Sequence, residues 1–546
     1  MSSSALAAWK NKVILAEQQP LPVSIPAFFD EAAARNGDQV LLDFFETGER
    51  VTYAELTSAS ERLARRLSLL GIRAGMCVAV MLPNVPQWHV IWLAVLRLGA
   101  RVLPVNPTYT ARELQYVLSD AQAVAWFLPA DRMDLPDSVS PWPGLLRRGW
   151  VIPVGEGTGI NGLDAELPDA GASPDAEAFS PDLKTTANIQ YTSGTTGFPK
   201  GCILSHGYWL NLAQQARLMH IEPMRRFFTA QPFYYMDPFW QLLMAASSDG
   251  TLTVARKISG TKFLGWLADN AIEWAQLPEI ALKSMDIHAD RRFSLRQVFT
   301  FGWGESSRKR FVERFRIPAT ESFGMTEIGL GLSMPPGWPA SDRAVSVGIA
   351  HLRREARIVD DQGREVDANT PGELQIRGAW IFEGYFNKPE ANAAAFDGEW
   401  FRTGDAFERD PGGFYRIVGR FKEMIRRSGE NIAAREIEAV VRAIPEVLDC
   451  AAVPVSDEDR GEEVKLLIQL HTELLADGRD PREVLAADRI VRHCQAELAP
   501  FKVPRYIQFI EEFPRTSSNK IAKHRLDQAA GPRFAATFDR VANVWR

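Results

Sequence analysis

Cysteine is scarce: the 546-residue chain has four, Cys77, Cys202, Cys450 and Cys494, and no two of them form a CxxC pair. Such scatter points to neither a zinc site nor a disulfide framework, and it fits a reducing cytoplasm. Long apolar runs are also missing. The longest, Trp88 to Leu96, stops at Arg97 and is too short to span a bilayer. Met1 to Val13 has Lys10 and Lys12 but no sustained apolar stretch ending in a small-residue cleavage site, so no secretory signal is expected. Nor is there an excess of positive charge. Lys and Arg total 62 against 68 for Asp and Glu, a net charge of −6, which lacks the basic footprint that draws nucleic acid in bulk. With 46% apolar and 24% charged residues the composition excludes collagen-like and wholly disordered chains. At about 150 residues per domain the length accommodates three or four domain-sized units.

What is present has an α/β rhythm. Thr52 and Glu55 can cap the start of a helix reciprocally, and Leu56, Ala59, Leu63, Leu67 and Leu70 recur at helical spacing up to Gly71, a natural left-handed stop. A buried strand is expected over Cys77 to Leu82, a second helix over Val85 to Leu98 and a second strand over Arg101 to Val105. That order implies a parallel sheet flanked by helices. Leu135 to Pro181, rich in Pro, Gly, Ala and Asp, reads as a surface excursion. A composition shift near Gly419 to Gly429 reads as the join between a large body and a smaller C-terminal unit.

The sharpest chemical signal is Tyr191-Thr-Ser-Gly-Thr-Thr-Gly-Phe-Pro-Lys200-Gly201, which follows the strand-like run Ala187 to Gln190. Glycines allow backbone N–H groups to converge on one point, four hydroxyls add donors and Lys200 adds charge, a composition suited to phosphate. It is not a Walker loop, because the glycine-lysine pair is replaced by Pro199-Lys200. Further on, Glu321-Ser-Phe-Gly-Met-Thr-Glu327 offers a hydroxyl and a carboxylate able to orient phosphate and hold Mg²⁺. Trp400-Phe-Arg-Thr-Gly-Asp405 places a carboxylate after a tight turn, where ribose hydroxyls could bond to it. Gly419-Arg420-Phe-Lys422 brings two cations to the expected domain join, and Pro514-Arg-Thr-Ser-Ser-Asn-Lys520-Ile521 presents a lysine on a polar loop.

In this order, and over Val51 to Leu526, these segments resemble the adenylate-forming superfamily of acyl-CoA synthetases, peptide-synthetase adenylation domains and beetle luciferases, as do Gly372-Glu-Leu-Gln-Ile-Arg-Gly378 and Gly384-Tyr385. Ser428-Gly-Glu-Asn-Ile432, Val453-Pro-Val-Ser-Asp457, Gly461-Glu462 and Phe501-Lys-Val-Pro504 are similar to the carboxylate–CoA ligases of the crotonobetaine/carnitine type. The resemblance implies an α/β fold: a large N-terminal domain, residues 1–420, of flanked mixed or parallel sheets, and a small mobile α+β C-terminal domain, residues 421–546. It implies ATP-dependent conversion of a carboxylic acid to acyl-AMP with release of pyrophosphate, then transfer of the acyl group to coenzyme A, with Mg²⁺ as cofactor. The amide-ligase variant, in which an amine such as an amino acid takes the acyl group, stays open; Tyr235, Trp303 and Glu279 are the departures that keep it so.

Residue by residue, the resemblance makes Lys520, Glu327 and Thr326 catalytic, with Glu327 holding the metal. Thr192, Ser193, Gly194, Thr195, Thr196, Gly197 and Lys200 are expected, with Thr326, at the phosphates, and Ser322 and Gly324 of the second motif at the nucleotide. Adenine is expected near Gly304 and Glu305 with Phe323 on its face, and ribose on Asp405 and Arg420. Lys422 is the expected hinge. Tyr235 stands where many relatives have histidine and cannot carry an imidazolium's charge. It is expected to line the acyl pocket with Met236, Phe239, Trp240 and Gly329, while Trp303, in a position where relatives are commonly small, is expected to limit pocket depth. The implied partners are small molecules, with no nucleic acid, no stable membrane insertion and a homodimer left open.

Overall fold

The computed structural model describes residues 3–155, 159–163, 167, 179–192, 199–285, 287–288, 290–301, 303, 305–338, 346–360, 362–370, 372–420, 424–428, 430–514, 521, 523, 526 and 536–546. It is a mixed α/β protein with two compact units, one of residues 1–107, 118–191 and 201–421, the other of residues 108–117, 192–200 and 422–546.

Local signals decide the first elements. Thr52 Oγ1 accepts from the Glu55 N–H at 3.2 Å and the Glu55 carboxylate accepts from the Thr52 N–H at 2.8 Å, a closed capping box that starts the helix Tyr53–Leu70. Gly71, at φ 98°, ends it in the left-handed conformation that costs other residues most. The helix Pro86–Arg97 is buried from Pro86 to Leu96, because it crosses the core rather than lying on its surface. Both expected helices and both expected strands, now Cys77–Val80 and Arg101–Pro104, fall within one or two residues of the sequence reading.

Three sheets follow. One has six strands in the order Val151–Val154, Ala123–Pro129, Cys77–Val80, Arg101–Pro104, Thr186–Thr192, Lys200–Ser205, the first five paired in parallel. Its first strand corrects the reading of Leu135 to Pro181 as excursion alone. Val151–Val154 buries Ile152 and Val154, and Pro153 is tolerated because an edge strand leaves one row of backbone groups unpaired. The second sheet is parallel through Val40–Phe44, Thr251–Val254, Arg226–Thr229, Trp274–Gln276, Gln297–Thr300 and Ala319–Met325, and turns antiparallel from there into Gly329–Ser333 and Ser346–Ala350. The core between these sheets is aromatic: the Phe239 ring lies 5.1, 5.0 and 5.2 Å from those of Trp88, Trp92 and Trp209.

The third sheet belongs to the second unit, where Val447–Asp457 and Gly461–Leu470 form a long hairpin covered by the helices Ala434–Arg442 and Ala487–Glu497. Ile437, Val441, Ile468, Ile490 and Ile507 fill its core. In the same unit Lys502, 2% exposed, sits between Glu113 at 2.9 Å and Glu436 at 2.8 Å. Burial opposes its charge, but the two carboxylates outweigh that and hold its pKa above the usual lysine range. All four cysteines are buried free thiols. Among the described residues no helix is long and apolar enough to cross a membrane.

Histidines in this core are held neutral. Burial pushes His89, His220 and His351 down to about 3 and His206 to about 4. Between pH 6.5 and those values the unfolded chain takes up protons that the folded chain refuses. Stability therefore falls as pH falls, by roughly 1 kcal/mol per pH unit for each ring. His220 stacks on Phe227 at 5.6 Å, so a phenyl ring fits its place. His220→Phe is expected to lose about 1 kcal/mol less between pH 7.5 and 5.5 than the parent chain in urea unfolding; an equal loss in both contradicts the neutral, buried imidazole.

Candidate active site

The strand Ala319–Met325 carries the second motif to the place where the large sheet changes from parallel to antiparallel. Glu321 roots it. This carboxylate, 4% exposed, accepts from the Thr300 hydroxyl at 2.5 Å and lies 3.6 Å from the Arg308 guanidinium. The turn into Gly329–Ser333 needs a bare Cα at Gly324, where a Cβ would lie 2.6 Å from the Gly329 carbonyl oxygen, and Gly329 itself sits at φ +65°.

Three successive carbonyls of that turn are each tied to a different part of the fold. Tyr208 O–H donates to Thr326 O at 2.8 Å, Phe382 N–H to Glu327 O at 2.8 Å, and Arg354 gives Nε and Nη2 to Ile328 O at 3.1 and 2.7 Å. The side chains are held as well. Thr326 Oγ1 meets Met236 Sδ at 3.4 Å, and the Tyr385 O–H donates to Glu327 Oε1 at 2.8 Å. Burial, with the Glu327 charge next, pushes the Tyr385 phenol far above its ordinary pKa, so it stays a donor; burial does the same for Tyr208. Glu327 Oε2 has no hydrogen-bond partner among the described residues.

This donor set fits Mg²⁺. The ion takes hard oxygen ligands, dehydrates reluctantly and is usually held by one or two carboxylates plus substrate phosphates. Glu327 offers one carboxylate oxygen that no described residue hydrogen-bonds. Among the described residues no three His, Cys, Asp or Glu side chains gather into a complete cage.

The structure brings some of the expected residues together and separates others. Asp405 lies directly opposite Arg420 in the backbone register of the antiparallel pair Trp400–Arg409 and Tyr415–Arg420. Phe323, 5% exposed, packs edge-on against Phe407 at 4.9 Å, and the Ser322 hydroxyl is buried without a partner among the described residues. Thr192 ends one strand and Lys200 begins the next. Ser193, Gly194, Thr195, Thr196, Gly197, Gly304, Lys422 and Lys520 lie outside the described residues. Glu305 opens the helix Glu305–Phe315.

Of the expected acyl-pocket residues, Tyr235 and Met236 follow a turn pinned by Asn84, whose side chain donates to Gln231 O at 3.0 Å and accepts from Phe233 N–H at 3.1 Å. Gln190 Nε2 donates to Tyr234 O at 2.8 Å, and the Tyr234 and Tyr235 rings lie 4.6 Å apart. Phe239 is fully buried among tryptophans, and Trp240 gives its indole N–H to Asp237 at 3.1 Å. Trp303 belongs to a separate apolar cluster: its N–H reaches Leu277 O at 3.1 Å and its ring packs edge-on against Phe311 at 5.7 Å.

The supports of the site were not legible. Tyr385 stands in the sequence as half of a Gly384-Tyr385 pair, and the only signal of its part is a phenol beside a glycine. Nothing local marks Tyr208, Arg354 or Asp237.

The chain matches the AMP-binding enzyme family over residues 29–386 and the AMP-binding enzyme C-terminal domain over residues 436–520. Its sequence is 30% identical over 505 residues to the crotonobetaine/carnitine–CoA ligase of Escherichia coli, covering 87% of this chain and 93% of that one. Its fold is similar to o-succinylbenzoate CoA synthetase of Bacillus subtilis, with a TM-score of 0.80, 22% identity and coverage of 92% and 98%. It is also similar to the amide bond synthetase McbA of Marinactinospora thermotolerans, with a TM-score of 0.77, 24% identity and coverage of 92% and 99%. At these identities the two structures bear on the fold alone.

Proposed function

The chain belongs to the AMP-binding enzyme family, and from that premise we propose that it is an AMP-forming ligase that joins a carboxylic acid to coenzyme A. The observation that carries the reading is the clamped Thr326–Glu327 turn, with one carboxylate oxygen left open, in a chain that shares 30% identity over 505 residues with a CoA ligase.

A carboxylate is a poor acyl donor because its leaving group would be oxide. In the first step an oxygen of the acid bonds to the α-phosphorus of ATP while the bond from that phosphorus to pyrophosphate breaks, leaving acyl-AMP. Both reactants are anionic, so oriented donors and positive charge at the α-phosphate supply most of the barrier lowering. Thr326, Thr192, Lys200 and the loop between them contact phosphate oxygens, Asp405 and Arg420 hold the ribose, and Lys520 bridges acid and α-phosphate. When bound, Mg²⁺, held by Glu327, neutralises phosphate charge. In the second step the thiolate of coenzyme A attacks the acyl carbon and AMP leaves with one of the acid's oxygens.

The two steps make opposite demands on Lys520, since the clamp that closes the first blocks the thiol's path in the second. The segment 421–546 is therefore read as a mobile domain that turns at Lys422, withdrawing Lys520 and presenting the stretch around Arg426 to Ile432. Met236, whose Sδ meets Thr326 Oγ1, and its chain neighbour Tyr235 line the acid's side of the site, and Tyr235 contributes a neutral hydroxyl where an imidazole would bring charge.

Pyrophosphate release on a panel of short, branched, cyclic and aromatic acids, with ATP and Mg²⁺ and then with coenzyme A or amino acids added, tests this reading. Stimulation by coenzyme A with accumulation of an acyl-CoA is expected; turnover driven only by an amine, with an amide as product, replaces the thiol acceptor. Lys520→Ala is expected to slow acyl-AMP formation by about 100-fold or more while thiolysis of supplied acyl-AMP stays within a few fold of the parent. Equal losses in both half-reactions contradict the exchange of conformations.

A further inference from the structure

One short stretch of chain, Phe382 to Lys388, touches more of the site's framework than any role assigned above accounts for. Its backbone lies along the strand Lys200–Ser205. Ile203 N–H donates to Gly384 O at 2.9 Å, Glu383 N–H to Ile203 O at 2.9 Å and Phe386 N–H to Gly201 O at 2.8 Å, with Tyr385 bridged to Cys202. That strand is the one that leaves the phosphate-loop sequence. At the start of the stretch, Phe382 N–H holds Glu327 O. In the middle, Tyr385 O–H holds the Glu327 carboxylate. At the end, Lys388 pairs with Asp120 Oδ1, and Asp120 Oδ2 accepts from the Tyr191 O–H at 2.7 Å. Tyr191 lies one residue from the end of the strand that enters the phosphate-loop sequence.

The stretch is itself held stiffly. Asn392 clasps Tyr385 from both sides, its Oδ1 accepting from the Tyr385 N–H at 2.6 Å and its Nδ2 donating to the Tyr385 carbonyl at 2.9 Å. Gly384, at φ +117° and with Asn392 3.1 Å from where a Cβ would be, is the residue that lets the chain turn into that clasp. Arg101 lies over the Phe386 ring at 4.5 Å. Gly201 is pressed against Ile189 and the Tyr191 ring, so the entering and leaving strands approach closely where the stretch crosses them.

We propose that Phe382–Lys388 is a positioning strap in which Tyr385 aims the Glu327 carboxylate and Lys388, through Asp120, fixes Tyr191. The same segment thereby holds the carboxylate and both strands that flank residues 193–198. Tyr385 and Lys388 touch neither acid nor nucleotide; they act through Glu327 and Tyr191. The two ends of the strap have separable effects. Loosening Tyr385 frees the carboxylate to leave the geometry a cation requires, which weakens the part of ATP binding that depends on Mg²⁺. Loosening Lys388 disturbs the entering strand, which weakens ATP binding whether or not Mg²⁺ is present.

The inference rests on the reading that Glu327 serves Mg²⁺ and that residues 192–200 serve phosphates, and calorimetric titration of the whole chain with ATP, in Mg²⁺ and in EDTA, separates the two. Glu327→Gln is expected to abolish the gain in affinity that Mg²⁺ confers; if it keeps the gain, the metal reading fails. Given that loss, Tyr385→Phe is expected to show a gain about tenfold smaller than the parent's, the worth of a charge-assisted hydrogen bond, with ATP affinity in EDTA unchanged. A Tyr385→Phe protein with the parent's full gain overturns the strap at that end. Lys388→Met is expected to bind ATP more weakly in both buffers by the same factor, with Lys388→Arg restoring it; affinity unchanged in EDTA overturns the other end. KM for the acid is expected to stay at the parent value in the Tyr385 and Lys388 variants. A rise in KM for the acid together with ATP weakening marks general loosening of the core and also overturns the strap.

Discussion

A carboxylate placed almost out of water must be given oriented donors, and much of the large unit is arranged around one such group. Glu327 is 8% exposed. Its backbone turn is tied at three consecutive carbonyls, from a helix through Tyr208, from a loop through Arg354 and from the stretch after the strand Gly372–Arg377 through Phe382. A single phenol takes one of its two oxygens. Fixing the turn before any ligand arrives is what electrostatic catalysis requires, because donors and charges that need no rearrangement act at full strength on the developing charge.

The place of this turn follows from the topology. The large sheet is parallel from Val40–Phe44 to Ala319–Met325 and antiparallel from there into Gly329–Ser333, so the turn sits where the pairing direction changes. Glu321, bonded to Thr300 and facing Arg308 inside the core, anchors the strand just below the switch. A buried charge in that position stabilises only with its partner, which makes the root of the strand intolerant of change at either residue.

Local features were the legible ones. The capping box of Thr52 and Glu55 and the left-handed Gly71 involve neighbours in the chain, so residue type alone reveals them. The Thr326-Glu327 and Asp405 segments stand out because hydroxyl, glycine and carboxylate recur in short ordered groups, and the chemistry proposed for them starts from that grouping. Val151–Val154 was not legible, since a four-residue edge strand containing proline shows no alternation to read. The braces were invisible for a different reason: Tyr385 and Glu327 are 58 residues apart, and Lys388 and Asp120 are 268 apart, so only packing joins them. Aromatic residues were ambiguous in kind. A ring that lines a pocket and a ring that fills a core look alike in sequence; Phe239 and Trp303 are buried in apolar clusters here, while the Met236 thioether meets the Thr326 hydroxyl.

The path of a single oxygen atom tests adenylation most directly. With the acid labelled with ¹⁸O in both carboxylate oxygens and with coenzyme A present, attack on the α-phosphorus carries one label into AMP and leaves pyrophosphate unlabelled. Label appearing in inorganic phosphate together with ADP means that the γ-phosphoryl group was attacked instead, and contradicts an acyl-adenylate.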